Sequence, residues 1–282
     1  MTPFDQIKKI AGNFVFNQVL YPRDAFLNEE DCPLYQDIDP FLEALFANES
    51  GKIKFALNWC QNHFGSVLDL SNSSGKLAFQ LANNKIPTFA LENNPVKIQV
   101  LRNLKETLAE DFRPFLQIYP IEVSKFEIDE TFQIIMMSSH ILEQADTELA
   151  LLGLLRKTVP HLKQEGSFFI EVHNLDFFEN RRDFRESIWN YTSPQNEEPS
   201  VSRLWERTYP GNKESQTVFE YAVSDSLNEF SLYRSTLHLF NLDQWMKLFE
   251  VAGYLVEDCY GDWTGKPVSF QNPLLVFHLK AR

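Results

Sequence analysis

The sequence predicts an α/β protein: a mostly parallel sheet with helices on both faces, a helical N-terminal segment, and an antiparallel β-meander set beside the sheet. Three observations predict it. From Ser66 onward, short apolar runs alternate with stretches of helical periodicity, the pattern of strand–helix–strand crossovers. Phe132–Met137 (FQIIMM) is an apolar run interrupted only by Gln133, as expected of a central strand buried on both faces. Between Ser202 and Leu239, three strand-like runs separated by turn residues lie close enough in sequence to pair as a meander.

Taken in order, Phe4 to Leu20 carries Ile7, Ile10, Ala11, Phe14 and Val15 at helical spacing and stops near Pro22. Pro22, Pro33 and Pro40 with Glu29, Glu30 and Asp31 make the next segment irregular. Asp39-Pro40 reads as an N-cap and first-turn proline opening a helix through Phe46, and a further helix is expected over Ile53–Phe64. Residues 1–65 are therefore a helical preface placed to act as a lid. Residues 66–282 hold the main domain. Strand Val67–Leu70, helix Gly75–Ala82, strand Thr88–Leu91 and helix Pro95–Ala109 follow. Then come strands Phe115–Tyr119 and Phe132–Met137, a helix through Leu149–Val159, and strand Ser167–Val172. Asp176–Asn190 reads as an amphipathic helix. The meander strands are Ser202–Tyr209, Thr217–Val223 and Phe230–Leu239, within an insertion over 191–240. Asn241 caps a helix closed by Gly253, and strands Tyr254–Tyr260 and Leu274–Leu279 complete the set.

The formal charge of −13 argues against sequence-independent binding to nucleic acid, which needs clustered Lys and Arg. Cys32, Cys60 and Cys259 are far apart and in no paired spacing, which points to a reducing compartment and to neither a disulfide framework nor a zinc site. A secretory signal pattern and a membrane-length apolar run are both missing, so a cytoplasmic protein is expected.

Ligands of open parallel sheets bind beyond the carboxyl ends of the strands, where strand order reverses. The stretch Ser66–Glu92 supplies strand, small-residue turn, helix, strand and a terminal acid in that order. Glu92 lies roughly 20 residues beyond Asp69, the separation expected of a carboxylate that accepts ribose hydroxyls. A dinucleotide fingerprint would need glycines at Ser71, Ser73 and Lys76, so a dehydrogenase is disfavoured.

VLDLSNSSGKLAFQLA resembles motif I of the class I S-adenosylmethionine-dependent methyltransferases, normally VLDLGCGTGRLALPLA. FALENNPVKIQVLRNL is similar to the family's acidic strand end followed by a helix opened by Ser-Pro or Asn-Pro. PIEVSKFEIDETFQIIMM, LLRKTVPHLKQEGSFFIEVHN and the C-terminal run from His238 resemble three further segments in the family's order. The resemblance covers the chain from about Tyr35 onward and is to a subgroup of small-molecule and sugar N-methyltransferases. It implies a Rossmann-like, seven-stranded sheet with an antiparallel last strand, a helical lid, and a meander that covers the acceptor pocket. S-adenosylmethionine is the implied cofactor and a small molecule the implied acceptor, with a homodimer as one candidate assembly.

By the same resemblance Asp69, Ser71, Ser73, Gly75, Glu92, Asn93, Glu122 and Ser138 are expected at the cofactor, Glu122 near its adenine, with Tyr35 as a lid or core residue. Ser71 and Ser73 replace family glycines, which let the backbone approach a ligand without a Cβ. A catalytically silent methyltransferase-like binding module is therefore the second reading. His140, at the carboxyl end of its strand, is the candidate catalytic residue or simply a helix-start histidine. His173 and His238 have local or pocket-wall roles open to them. Trp189, Tyr191, Trp205, Tyr209, Phe219, Tyr221 and Tyr233 are candidate acceptor-pocket or packing residues.

Overall fold

The computed structural model describes residues 17–18, 49–71, 75–138, 141–145, 147–179, 185–192, 199–210, 216–224 and 231–282. Tyr35, Ser73 and His140 lie outside the described residues, as do the expected helix over Pro40–Phe46 and all of the one over Phe4–Leu20 but Asn17–Gln18. The chain divides into one unit of Met1–Leu42 with Phe178–Leu239, and another of Glu43–Phe177 with Phe240–Arg282.

The first unit holds a five-stranded sheet of β1 (Asn17–Gln18) with four strands from the later segment. The second opens with helix α1 (Glu49–Asn62), followed by β2 (Val67–Asp69), α2 (Lys76–Asn83), β3 (Thr88–Leu91), α3 (Pro95–Thr107), β4 (Leu116–Tyr119) and β5 (Phe132–Met137). It continues through α4 (Glu148–Thr158), β6 (Leu162–His173) and α5 (Leu175–Glu179). The chain then makes β7 (Arg185–Thr192), β8 (Pro199–Pro210), β9 (Gln216–Ser224) and β10 (Ser231–His238) of the first unit. It returns as α6 (Leu242–Ala252), β11 (Tyr254–Tyr260) and β12 (Leu274–Ala281).

The sheet of the second unit has the order β11-β12-β6-β5-β2-β3-β4. β2 pairs in parallel with both β3 and β5, β3 with β4, and β5 with β6. β12 alone runs antiparallel, inserted between β6 and β11. Side-chain alternation sends each strand's residues to two layers. Leu68, Ile135, Met137, Phe168 and Ile170 join Leu155 of α4 and Trp245 and Phe249 of α6 on one face. Val67, Ile134, Met136 and Phe169 join Ala56 and Cys60 of α1 and Leu77 and Leu81 of α2 on the other. Burial pushes the Cys60 thiol up to about 12, so this cysteine packs as an inert apolar group.

The seven strands and the antiparallel last strand match expectation. The meander does too, with β8, β9 and β10 paired antiparallel in sequence. Two expectations fail. Asp176–Asn190 is not one helix: α5 ends at Glu179, and Arg185–Thr192 pairs with β8, Ile188 opposite Arg203 and Tyr191 opposite Ser200. The β-branched and aromatic residues Ile188, Trp189, Tyr191 and Thr192 favour a strand, and an available partner strand decides the matter. Asn17–Gln18 is likewise strand, paired in parallel with Tyr233 and Arg234, where a helix was expected.

Helix α6 shows how the core is fixed. Asn241 and Gln244 form a reciprocal capping box, and Gly253 ends the helix at a left-handed φ of 102°. Between them Trp245 is fully buried, stacked on Phe249 at 5.6 Å and edge-on to Phe240 at 4.9 Å. Its indole N–H has no partner among the described residues. Trp245→Ala should therefore cost about 3–5 kcal/mol in urea denaturation, and Trp245→Phe far less, since it also removes the buried unpaired donor.

On the opposite face His278 of β12 stacks on Phe169 at 4.7 Å, with Trp59 edge-on at 4.9 Å and its Nε2 bonded to Ser167 Oγ at 3.1 Å. Burial holds its pKa below the ordinary 6.5, helped by Lys280 and opposed by Asp258. The unfolded chain thus takes up the proton more readily, so stability is full above about pH 6.5 and falls as pH drops below it. His278→Phe should flatten that fall in denaturation midpoints compared between pH 7.5 and pH 5.5.

Candidate functional site

From β2 the parallel sheet grows through β3 to β4 in one direction, and from β5 to β6 in the other. The reversal lies between β2 and β5, and a crevice at the carboxyl ends of such strands is where a ligand of this class of sheet is held. The residues that end these two strands are Asp69–Ser71 and Ser138.

At the end of β2, Leu70 N–H reaches across to the Met136 carbonyl at 2.8 Å, and Asp69 Oδ1 accepts the N–H of Ser71 at 2.9 Å. Ser71 is buried, and its Oγ accepts from Ser138 Oγ at 2.8 Å. Ser138 is fully buried and in turn accepts from Lys52 Nζ of α1 at 2.9 Å. A continuous polar chain, lysine to serine to serine, therefore spans the reversal point. The Ser71 hydroxyl is committed to that chain, which is how a side chain is accommodated at a position where a glycine was expected.

Gly75 sits at the N-cap of α2 with φ at 80°, and a Cβ there would lie 2.3 Å from Leu101 of α3. Glycine is required on both counts: the left-handed backbone and the close helix approach. It sets the direction in which α2 leaves the crevice.

At the end of β3, Glu92 is buried and its Oε1 accepts the N–H groups of Asn93 and Asn94, each at 2.8 Å. Asn94 Oδ1 then accepts the N–H of Lys97 at 3.2 Å, ordering the start of α3. The carboxylate is thereby fixed in orientation, while Asn93 itself is exposed. Glu122, after β4, is different. It is partly exposed, bonded to Ser124, and paired with Lys125 at 2.5 Å, which holds its pKa below the ordinary carboxylate value. The structure thus brings Asp69, Ser71, Gly75 and Ser138 together at the reversal, sets Glu92 at the neighbouring strand end, and leaves Glu122 engaged in a local ion pair.

Two residues at this end of the sheet were not singled out by the sequence. Glu143, in the turn after β5, is fully buried and takes both the backbone N–H of His173 at 2.7 Å and its Nδ1 at 2.9 Å. This fixes the His173 ring with Nδ1 carrying the hydrogen toward the carboxylate. The next residue, Asn174, donates to the carbonyls of Ser269 and Asn272 and ties the segment before β12 to the end of β6. Lys52 is the other. It occupies the Lys52–Ala56–Cys60 stripe of α1, all three buried, and that spacing was a readable signal. No comparable spacing links Glu143 to His173.

His238 closes β10 opposite Gln216. The register of β7–β10 places Trp189, Tyr191, Phe219, Tyr221 and Tyr233 on one face of that sheet, with Trp205 and Tyr209 on the other.

No protein-family model matches the chain, and no curated protein matches it in sequence. Among solved structures it is similar to the CcbJ methyltransferase from Streptomyces caelestis, with a TM-score of 0.68 at 13% identity over 83% of this chain and 90% of that one. It is similar to an S-adenosylmethionine-dependent methyltransferase from Clostridium acetobutylicum, with a TM-score of 0.69 at 13% identity over 88% and 99% of the two chains. The sugar N-methyltransferase KedS8 from Streptoalloteichus gives a TM-score of 0.63 at 14% identity over 96% and 97%. At these identities the likeness establishes the fold.

The Glu143–His173 contact is the most deeply buried polar pair at this end of the sheet. Glu143→Ala strips a backbone N–H and a ring N–H of their acceptor, and should destabilise the protein by roughly 2–5 kcal/mol in chemical denaturation. Glu143→Gln, which keeps one acceptor oxygen, should recover part of the loss.

Proposed function

We propose that this chain, built on the fold it shares with S-adenosylmethionine-dependent methyltransferases, transfers a methyl group from S-adenosylmethionine to a nitrogen or oxygen of a small molecule. The observation that carries the reading is Glu92: a buried acid at the end of β3, one strand from the reversal point, with its carboxylate pinned by two backbone N–H groups. A carboxylate so held is pre-set to accept paired ribose hydroxyls.

The described residues fit the cofactor. Asp69 shapes the exit of β2, Gly75 keeps the left-handed turn into α2, and the Ser71 hydroxyl is bonded to Ser138. Ser73 belongs to the same proposal by its motif position, Tyr35 as a lid residue, and His140 by its place after β5. S-adenosylmethionine supplies, when bound, a methyl group already activated on sulfur, so the protein's tasks are alignment of the acceptor and exclusion of water. Glu92 and Asn93 would hold the ribose side, and Asp69, Ser71 and Ser138 would set the floor of the crevice. An amine on a sugar-like molecule is the favoured acceptor, since KedS8 is named for that reaction.

Calorimetric titration with S-adenosylmethionine and S-adenosylhomocysteine tests this reading. Both should bind, and Glu92→Ala should weaken both by roughly 10- to 100-fold through loss of charge-assisted hydrogen bonds. No heat and no melting shift at millimolar ligand would sink it.

A further inference from the structure

The outer side of α4, α6 and β11 carries most of the apolar surface that the second unit leaves open. Phe64 and Phe270 aside, every large apolar side chain exposed among the described residues lies here: Leu149 at the start of α4, Met246 and Val251 on α6, and Leu255 on β11. Grooves flank α6 on both sides, so the helix stands as a ridge between them. The larger, of about 510 Å³, runs between α6 and β11 past Leu255 and Arg282. The smaller, of about 250 Å³, lies between α6 and α4 and is floored by Leu152, Phe240 and Leu248. Apolar side chains gathered in this way mark a contact surface.

The charges of the face indicate what covers it. The chain has 39 acidic side chains against 26 basic ones, and its net charge of −13 drives two copies apart wherever acids predominate. On this face they do not, since Glu148, Asp243 and Glu250 are matched by Arg156, Lys247 and Arg282. Arg282 holds Glu250 at 2.8 Å, and Arg156 donates to the Val251 carbonyl at 3.3 Å. Asp243 and Lys247, both exposed and one turn apart on the ridge, have no ion pair among the described residues. A two-fold axis across the ridge brings a second α6 in antiparallel, and each Lys247 then meets the partner's Asp243. The pairing is reciprocal, as a two-fold contact requires.

We propose that this face is the interface of a homodimer, in which α6 packs antiparallel on α6 of a second copy while Met246 and Val251 enter the grooves beside the partner's helix. Both α4 and α6 cover the layer of the sheet opposite to α1. The contact therefore draws on none of the crevice residues, and it stands apart from the methyltransferase reading.

Sedimentation velocity of the full chain over a concentration series tests the interface. The unaltered protein should sediment at twice the chain mass. Lys247→Asp sets like charges opposite each other at both symmetry-related pairs, and should raise the concentration at which the dimer dissociates roughly 10- to 100-fold. Asp243→Lys should do the same. The two substitutions together should restore the dimer, because the pairs re-form with their signs exchanged. Met246→Asp, which leaves both charges in place, should weaken the dimer by a similar factor. All three side chains are exposed, so each variant should melt close to the unaltered protein. A single-chain mass at every concentration overturns the proposal and leaves the face to an unlike partner. A dimer that survives the single substitutions, or that the exchanged pair fails to restore, overturns it as well, because a different surface then joins the copies.

Discussion

The reversal of strand order between β2 and β5 is the constraint on which the rest of the molecule depends. Two parallel strands side by side, each leaving the sheet toward its own next element, cannot close their carboxyl ends with backbone bonds alone. The protein bridges the gap with side chains. Beyond the last backbone bond, from Leu70 N–H to the Met136 carbonyl, Ser71 and Ser138 join hydroxyls across it, and α1 brings an ammonium to Ser138. That bridge keeps the two strand ends in register while leaving a polar floor between them. Everything assigned to ligand binding is measured from that floor.

The serines there show how a position that favours glycine can carry a side chain. What matters is where the added atoms go. At Ser71 they enter a bond with a fully buried partner, so the hydroxyl is satisfied and held. At Gly75 no such solution exists, since an added Cβ would meet Leu101 and the backbone is left-handed. One position of the turn is thus chemically adjustable and another is sterically closed. The packing of α2 on α3, not the ligand alone, sets that difference.

The sheet was legible in the sequence because burial on two faces leaves a direct trace. Phe132–Met137 is apolar but for Gln133, and all but Gln133 are buried. Glu92 was legible because strand, turn, helix and strand fix where the next strand must end. The segment Arg185–Thr192 misled because its charges suit a helix face, while its strand state depends on β8, a partner that local periodicity does not encode. Lys52 could have been found, as a charge on a stripe otherwise made of Ala56 and Cys60. The Glu143–His173 contact could not, because it joins a turn to a strand end across an intervening helix and depends on register alone.

The place of β12 carries a consequence for how the protein is made. Leu274–Ala281 lies inside the sheet, between β6 and β11, and every one of its residues from Leu274 to Leu279 is buried. During synthesis β6 therefore emerges with one edge open and waits about 100 residues for its neighbour, at roughly 5–20 residues per second. Its Phe168, Ile170 and Val172 belong to an apolar layer that β12 completes. For those seconds the nascent chain presents an unpaired, hydrophobic strand edge, the form most open to pairing with another chain. The sheet is thus sealed by a strand that leaves the ribosome long after the one it covers.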